Sequence, residues 1–119
     1  MFTDFAKNSL MATEEFDAND KYVALGTESA GTVTELTGHG YSRGAWLTGN
    51  MTVAATGVVT GSQFTIYTAT DGDAVQATRT AIFDAATAGN QITEWETIAN
   101  PPAPPANGRS VNITPRLVP

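Results

Sequence analysis

Glycine-based turns divide most of this chain into short segments, and this spacing limits the folds open to it more than any other feature. Gly49-Asn50, Gly61-Ser62 and Gly89-Asn90 are among the turn signals, which recur at intervals of roughly 8–12 residues. The segments between them are rich in β-branched threonine, which occurs 19 times in 119 residues and favours strands. No long amphipathic helical pattern separates them, which excludes a fold of alternating strands and helices. The sequence therefore predicts an all-β fold, an antiparallel β-sandwich or barrel-like body of about six to eight short strands.

Alternation of apolar and polar side chains predicts where the strands lie. The clearest pattern is in residues 51–60, where Met51, Val53 and Val59 alternate with threonines, so we predict one half-buried strand there. Residues 78–83 have apolar side chains on both faces, which predicts a central strand. The other predicted strands are residues 21–26, 32–36, 44–48, 63–68, 91–98 and 110–114.

The chain is predicted to divide into an N-terminal arm, residues 1–20, and a body, residues 21–119. Apolar residues of the arm have helical spacing, which predicts a short helix around residues 4–12. So short a segment cannot form a core of its own, so its apolar groups must lie on the body, on a neighbouring copy or in solvent. The C-terminal tail is also apolar, and we expect both ends to contact other subunits. The residues expected in these contacts are Phe2, Phe5, Leu10, Met11, Phe16, Leu117 and Val118.

Four prolines lie in residues 100–108, which excludes a helix or a central strand there. We predict a stiff, extended, polyproline-like loop within the body.

Composition excludes several classes of function. The net charge of −6 opposes binding to nucleic acid and to anionic membranes. The chain has no cysteine, which excludes disulfides, thiolate metal sites and cysteine nucleophiles, and its single histidine excludes a multi-histidine metal site. Residues 1–4 lack the basic start of a signal peptide, and no apolar stretch approaches the roughly 20 residues that span a bilayer. We therefore expect synthesis in a cytoplasm.

Two pairs of acidic residues resemble parts of known sites, and each has a simpler structural explanation. Asp71 and Asp73 flank a glycine as in a calcium loop, but the further acidic ligands of such a loop are missing, which favours a solvated turn. Glu94 and Glu96 have a spacing that would suit the paired carboxylates of a glycosidase, or the polar face of an exposed strand. A domain of this size offers little room for a catalytic cleft.

The histidine and the aromatic residues allow similar alternatives. His39 lies between two glycines without a nucleophile elbow nearby, which indicates a mobile loop histidine rather than part of a catalytic site. Trp46, Trp95, Tyr41 and Tyr67 would form a sugar-stacking platform if they were exposed together, or belong to a core or an interface. We therefore predict a protein that is not an enzyme, with no cofactor and no metal.

Several short motifs follow one another in order over most of the chain. They are residues 5–10 (FAKNSL), residues 21–26 (KYVALG), the stretch from Glu35 to Gly40-Tyr41-Ser42-Arg43, and residues 80–90 (TAIFDAATAGN), before a proline-containing loop and a final strand. In this order they resemble a family of small bacteriophage virion proteins described as tail-fibre-like or head-decoration proteins. The resemblance implies a β-rich subunit, often a trimer, that is assembled into the phage particle and has no catalytic residues.

Two residues in these motifs have a structural interpretation. Arg43 is expected to pair with Asp84 or Glu35 and so to pin a loop, because the guanidinium fork suits a carboxylate. Asp84 directly follows a predicted strand and is expected to cap the turn after it.

Taken together, these features predict a non-enzymatic virion structural protein, foremost a capsid decoration or cement protein that bridges subunits. The alternatives are a tail-fibre or baseplate component that contacts the host surface, and a carbohydrate-binding module. The expected partners are other copies of the chain, as a homotrimer, and the major capsid protein or other virion proteins. Neither nucleic acid nor a membrane is expected as a partner.

Overall fold

A computed structural model of the chain describes Thr3 and residues 20–55 and 58–118. The helix predicted around residues 4–12 lies outside the described residues, as do Phe2, Phe5, Leu10, Met11 and Phe16. Within the described residues the chain forms ten β-strands and one short 3-10 helix, Thr48–Asn50. The strands are β1 (Lys21–Ser29), β2 (Thr32–Glu35), β3 (Gly44–Trp46), β4 (Thr52–Val53), β5 (Val59–Thr60), β6 (Phe64–Thr68), β7 (Arg79–Phe83), β8 (Glu96–Thr97), β9 (Ser110–Ile113) and β10 (Arg116–Leu117). The strand pairings among the described residues are all antiparallel, so the predicted all-β antiparallel body is confirmed.

Strand β1 is the centre of a five-stranded sheet. Strand β7 pairs with one edge of β1, with Ala81 opposite Ala24, and β8 pairs with the far side of β7. The other edge of β1 is shared, because β3 pairs with its first half and β2 with its second half. Val23 and Leu25 point to one face and Ala24 and Gly26 to the other, and all four are buried. Both faces of this sheet are therefore covered.

The main core lies on the Val23 and Leu25 face of the five-stranded sheet. Two smaller sheets, β10-β5-β4 and β6-β9, contribute to the same core. The largest fully buried side chains are Trp46, Leu25, Ile92, Leu117, Val23 and Val59.

The opposite face of the five-stranded sheet is covered by an aromatic side chain. A Cβ atom on Gly26 would lie 3.0 Å from Cζ3 of Trp95, so the indole ring lies directly on the backbone of β1. Ala24 and Ala81, which share this face, are 0% and 1% exposed. A larger residue at position 26 would displace the ring.

Residues 51–60 do not form the single strand that their alternation predicts. They contain β4 and β5, which pair with each other, with Thr52 opposite Thr60 and Val53 opposite Val59. Val59 is fully buried, whereas Val53 at the sheet edge is 45% exposed. Alternation identifies the faces of a strand but not a reversal of the chain between two short strands, and the prediction was wrong for that reason.

The predicted strand at residues 91–98 is also shorter than expected. Only β8 is a strand, and Gln91 forms an isolated bridge with Phe83. Between them, the side-chain hydroxyl of Thr93 accepts a hydrogen bond from the backbone N–H of Ile82 at 3.0 Å. A side chain thus replaces a backbone carbonyl in the ladder, and the regular pairing is interrupted.

The predicted tail forms part of the fold. Pro115 precedes β10, whose Leu117 lies opposite Val59 of β5 and is 1% exposed. Leu117 therefore fills the core of its own chain rather than a contact with another subunit, whereas Val118 is 37% exposed. Among the described residues, no helix has the length and hydropathy needed to span a bilayer.

The close approach of β3 to β6 gives a test of the packing. A Cβ atom on Gly44 would lie 2.7 Å from Cδ1 and 3.0 Å from Cα of Ile66. We expect Gly44→Ala to lower the free energy of unfolding by about 1–3 kcal/mol, because the added methyl group overpacks this contact. Urea denaturation measures the change. The matched control is Gly49→Ala, where nothing lies within 4 Å, and a change there equal to that of Gly44→Ala would contradict the explanation.

Candidate functional site

A buried arginine, Arg43, connects three segments of the chain. It precedes β3, and its side chain is 7% exposed. Its Nε and Nη2 atoms donate to Oε2 and Oε1 of Glu35, each at 2.9 Å, which is a bidentate pair. Its Nη1 atom donates to the carbonyl oxygens of Ala85 at 2.9 Å and Ala88 at 2.7 Å. The guanidinium thus fixes the end of β2 and the loop after β7 relative to each other.

The same loop is also held by an aromatic ring and by a carboxylate. The guanidinium carbon of Arg43 lies 3.7 Å from the centre of the Phe83 ring, a cation–π contact. Asp84 accepts hydrogen bonds from the backbone N–H of Asn90 at 2.7 Å and from its side-chain amide at 3.1 Å. Of the two carboxylates predicted as partners of Arg43, Glu35 is the one that forms the pair. Asp84 instead stabilises the loop after β7 through its hydrogen bonds with Asn90.

Tyr41 completes this hydrogen-bonded group. Its hydroxyl donates to Oε2 of Glu35 at 2.7 Å and accepts from the backbone N–H of Leu25 at 3.0 Å. Its ring meets that of Tyr67 edge to face, with centroids 5.3 Å apart. No single motif in the sequence indicates this double role of the hydroxyl.

The electrostatics follow from these contacts. The hydrogen bond from Arg43 lowers the pKa of Glu35, and the same bond raises the pKa of Arg43. Burial, with the hydrogen bond to Glu35 added, raises the pKa of the Tyr41 hydroxyl. Glu35 is therefore ionised at neutral pH and does not act as a general acid there.

A second polar contact joins the loop after β2 to the loop after β6. Nδ1 of His39 lies 2.9 Å from both carboxylate oxygens of Asp71, and the backbone N–H of Thr70 donates to the carbonyl of His39 at 3.0 Å. The hydrogen bond with His39 lowers the pKa of Asp71. The backbone of His39 is left-handed, as are Gly38 and Gly40 on either side, with φ of 57°, 68° and 88°. His39, which the sequence predicts in a mobile loop, is thus held by one side-chain contact and one backbone hydrogen bond.

Two clefts flank the loop that carries Tyr41. One, of about 260 Å³, lies between this loop and a wall formed by Tyr67, Ala74 and Val75. The other, of about 380 Å³, lies between it and residues 86–88. Glu35, Leu36, Thr37, Gly38 and Tyr41 line both clefts.

The four aromatic residues considered for a sugar platform do not form one. Trp46 is fully buried, and its Nε1 atom donates to the carbonyl of Asn50 at 2.9 Å. Tyr67 is 5% exposed, because a shift in the pairing of β6 with β9 between Thr65 and Tyr67 places it beside Ile66 in the core.

Trp95, one of these four, lies with Tyr22 and Phe83 in a partly exposed row on the second face of the five-stranded sheet. Tyr22 of β1 lies opposite Phe83 of β7, and the Phe83 and Trp95 rings meet edge to face with centroids 6.1 Å apart. We call these three residues the aromatic row. The feature of the sequence that could have indicated the aromatic row is the apolar character of both faces in residues 78–83.

The acidic pairs do not form a site. Glu94 and Glu96 are both exposed. The carboxylate of Asp71 accepts a hydrogen bond from the backbone N–H of Asp73 at 2.9 Å, which is the turn geometry of an aspartate. In the part of the chain that the structure describes, no three acidic, histidine or cysteine side chains are grouped as metal ligands.

The arm contacts its own body at both of its described positions. The backbone N–H of Thr3 donates to the carbonyl of Ile92 at 2.8 Å, and its hydroxyl donates to the carbonyl of Gln91 at 2.6 Å. At the other end, Asp20 accepts a hydrogen bond from the backbone N–H of Thr48 at 2.9 Å.

Comparison with known proteins gives the family. The family model described as Podophage GP4 fiber I protein gp80 matches residues 8–107. The chain belongs to this family. It is therefore a structural protein of a phage virion and is located in the virion, as the resemblance of its motifs implies. The match spans Glu35, Arg43 and the aromatic row. Neither the curated proteins nor the solved structures contain a match.

The Arg43 contacts predict a large effect of a small substitution. Arg43→Lys keeps the charge but removes the planar fork, so the bidentate pair and the two carbonyl contacts cannot all be kept. We expect the free energy of unfolding at pH 7 to fall by about 2–4 kcal/mol in chemical denaturation. Arg116→Lys is the control, because Arg116 is exposed, and a similar loss there would contradict the assignment.

Comparison of the wild type with R43K at different pH values tests the role of Glu35. Because the pKa of Glu35 is lowered on folding, its bond to Arg43 stabilises the fold above the ordinary value of 4.5 and loses this effect as the pH falls through the lowered value. The difference in unfolding free energy between wild type and R43K should therefore narrow as the pH falls below 4.5. A difference that stays constant over this range would show that Glu35 is not the partner that matters.

Proposed function

We propose that this chain is a non-enzymatic structural component of a phage fibre. The observation that carries the proposal is the match of residues 8–107 to the family of a podophage fibre protein. Among the three virion roles considered from the sequence, capsid decoration, tail fibre and baseplate, the family description favours the fibre.

The geometry of the candidate site agrees with a structural role. The pair between Arg43 and Glu35 joins loops of the body, and its carboxylate is ionised and accepts hydrogen bonds from three donor atoms. In the described residues, every buried side-chain nitrogen or oxygen has a hydrogen-bond partner. Such a body has defined loops and surfaces and suits repeated contacts with neighbouring proteins.

The location in the particle tests the proposal. We expect gold-labelled antibodies raised against the purified chain to bind fibres that project from the virion in electron micrographs. Free purified chain added in excess should abolish the labelling, which controls for specificity. Labelling spread over the shell lattice would instead support the capsid decoration role and contradict the fibre proposal.

We further propose that the arm and the end of the tail bind other subunits. Their partners are a second and third copy of the chain and the major capsid protein or another virion protein. The apolar residues concerned are Phe2, Phe5, Leu10, Met11, Phe16 and Val118. Burial of such side chains between subunits is favourable because it removes their apolar area from water.

The arm proposal predicts a loss of assembly without a loss of folding. We expect the double substitution Phe5→Ala and Leu10→Ala to reduce the amount of the chain in purified virions by about tenfold or more, while the melting temperature of the isolated chain stays unchanged. Asn8→Ala with Ser9→Ala is the matched control in the same segment. Normal incorporation of the Phe5 and Leu10 variant, or a lower melting temperature, would show that these residues pack on their own body.

A further inference from the structure

The proline loop, residues 100–108, is an exposed surface with a restricted conformation. Residues 101–104 are all exposed. The side-chain amide of Gln76 donates to the carbonyl of Pro102 at 3.1 Å, and the backbone N–H of Gly108 donates to the carbonyl of Ala69 at 2.8 Å. Proline restricts φ, so consecutive prolines favour the polyproline conformation. A loop held in this way loses little conformational entropy when it binds.

The aromatic row is a surface of the kind that binds polyproline segments. Such segments dock between aromatic rings, which pack against the flat faces of the prolines. Two rings of the row have fixed positions, because Trp95 lies on the backbone of Gly26 and Phe83 lies under the guanidinium of Arg43. Tyr22, Phe83 and Trp95 are nevertheless each partly exposed. The row therefore offers preformed aromatic surface to a partner.

The charges beside the two surfaces are complementary. Arg109 is exposed at the end of the proline loop. Asp84 follows Phe83, and Glu94 precedes Trp95, and both are exposed. Because the whole chain carries a net charge of −6, two copies repel each other, and a basic group placed at this acidic border offsets part of the repulsion. Contact between the proline loop and the aromatic row brings Arg109 toward this acidic border.

We propose that the proline loop of one copy docks on the aromatic row of the next copy. Both halves of the contact belong to the same chain, and in the described residues the hydrogen bonds of the loop go to Ala69, Gln76 and the loop itself rather than to the row. The two surfaces differ, so the contact is head-to-tail and generates a ring or a filament. This inference rests on the proposed fibre role, which is the reason to expect repeated copies of the chain next to one another.

Complementation between two variants tests this contact. The loop variant replaces Pro101, Pro102 and Pro104 by alanine, and the row variant is Trp95→Ala. We expect the mass of the full-length wild type, measured by sedimentation, to increase with concentration. Each variant should have an affinity for self-association that is about tenfold lower, or should not associate. An equimolar mixture of the two variants keeps one intact loop and one intact row, so it should associate more strongly than either variant alone.

Controls separate this contact from other effects. The double variant Thr52→Ala and Thr60→Ala changes an exposed face elsewhere and should associate like the wild type. Circular dichroism checks the folding of Trp95→Ala, and if that variant is unfolded, Glu94→Lys takes its place, because Glu94 is exposed. A wild type that stays monomeric up to about 1 mM, a loop variant that associates normally, or folded variants that do not associate more strongly when mixed would each overturn the inference. None of these results bears on where antibodies label the virion, so the two proposals fail separately.

Discussion

The bidentate pair between Arg43 and Glu35 is the interaction on which the second face of the main sheet depends. A five-stranded sheet has two faces to cover, and in the described residues the main core lies on one of them. The second face is covered by the Trp95 ring and by Phe83 under the guanidinium, and the loop that follows Phe83 is held by the same arginine. Removing a charge from water is costly, and four charge-assisted hydrogen bonds from Arg43 offset that cost.

This constraint links the fold to the family's role. A protein that acts by contact needs surfaces with a defined shape, and the contacts of Arg43 define one of them. The aromatic row is partly exposed because Trp95 contacts the backbone of Gly26 and Phe83 contacts the guanidinium of Arg43, rather than a further layer of strands. The polar network has no free acid or base for catalysis, since Glu35 is ionised and bound by Tyr41 and Arg43.

Much of the fold could be predicted from local pattern. The strands at residues 63–68, 78–83 and 110–114 correspond to β6, β7 and β9, because apolar alternation reports which side chains are buried. The failures at residues 51–60 and 91–98 have a common cause. There, pairing is decided by strands distant in the sequence, such as β10 beside β5, and by one side chain, Thr93, that takes the place of a backbone acceptor.

The sequence by itself determined the all-β class, the proline loop, the acidic surface and the virion family, because these depend on composition, local alternation and the order of motifs. It left open whether Arg43 pairs with Glu35 or Asp84, and it did not show which aromatic rings are exposed. Only the tertiary structure decided these points, together with the place of Leu117 in the core. The reason is physical: burial and ion pairing depend on which segments meet in space. Residues 43 and 85–88 are brought together because β1 pairs with both β3 and β7.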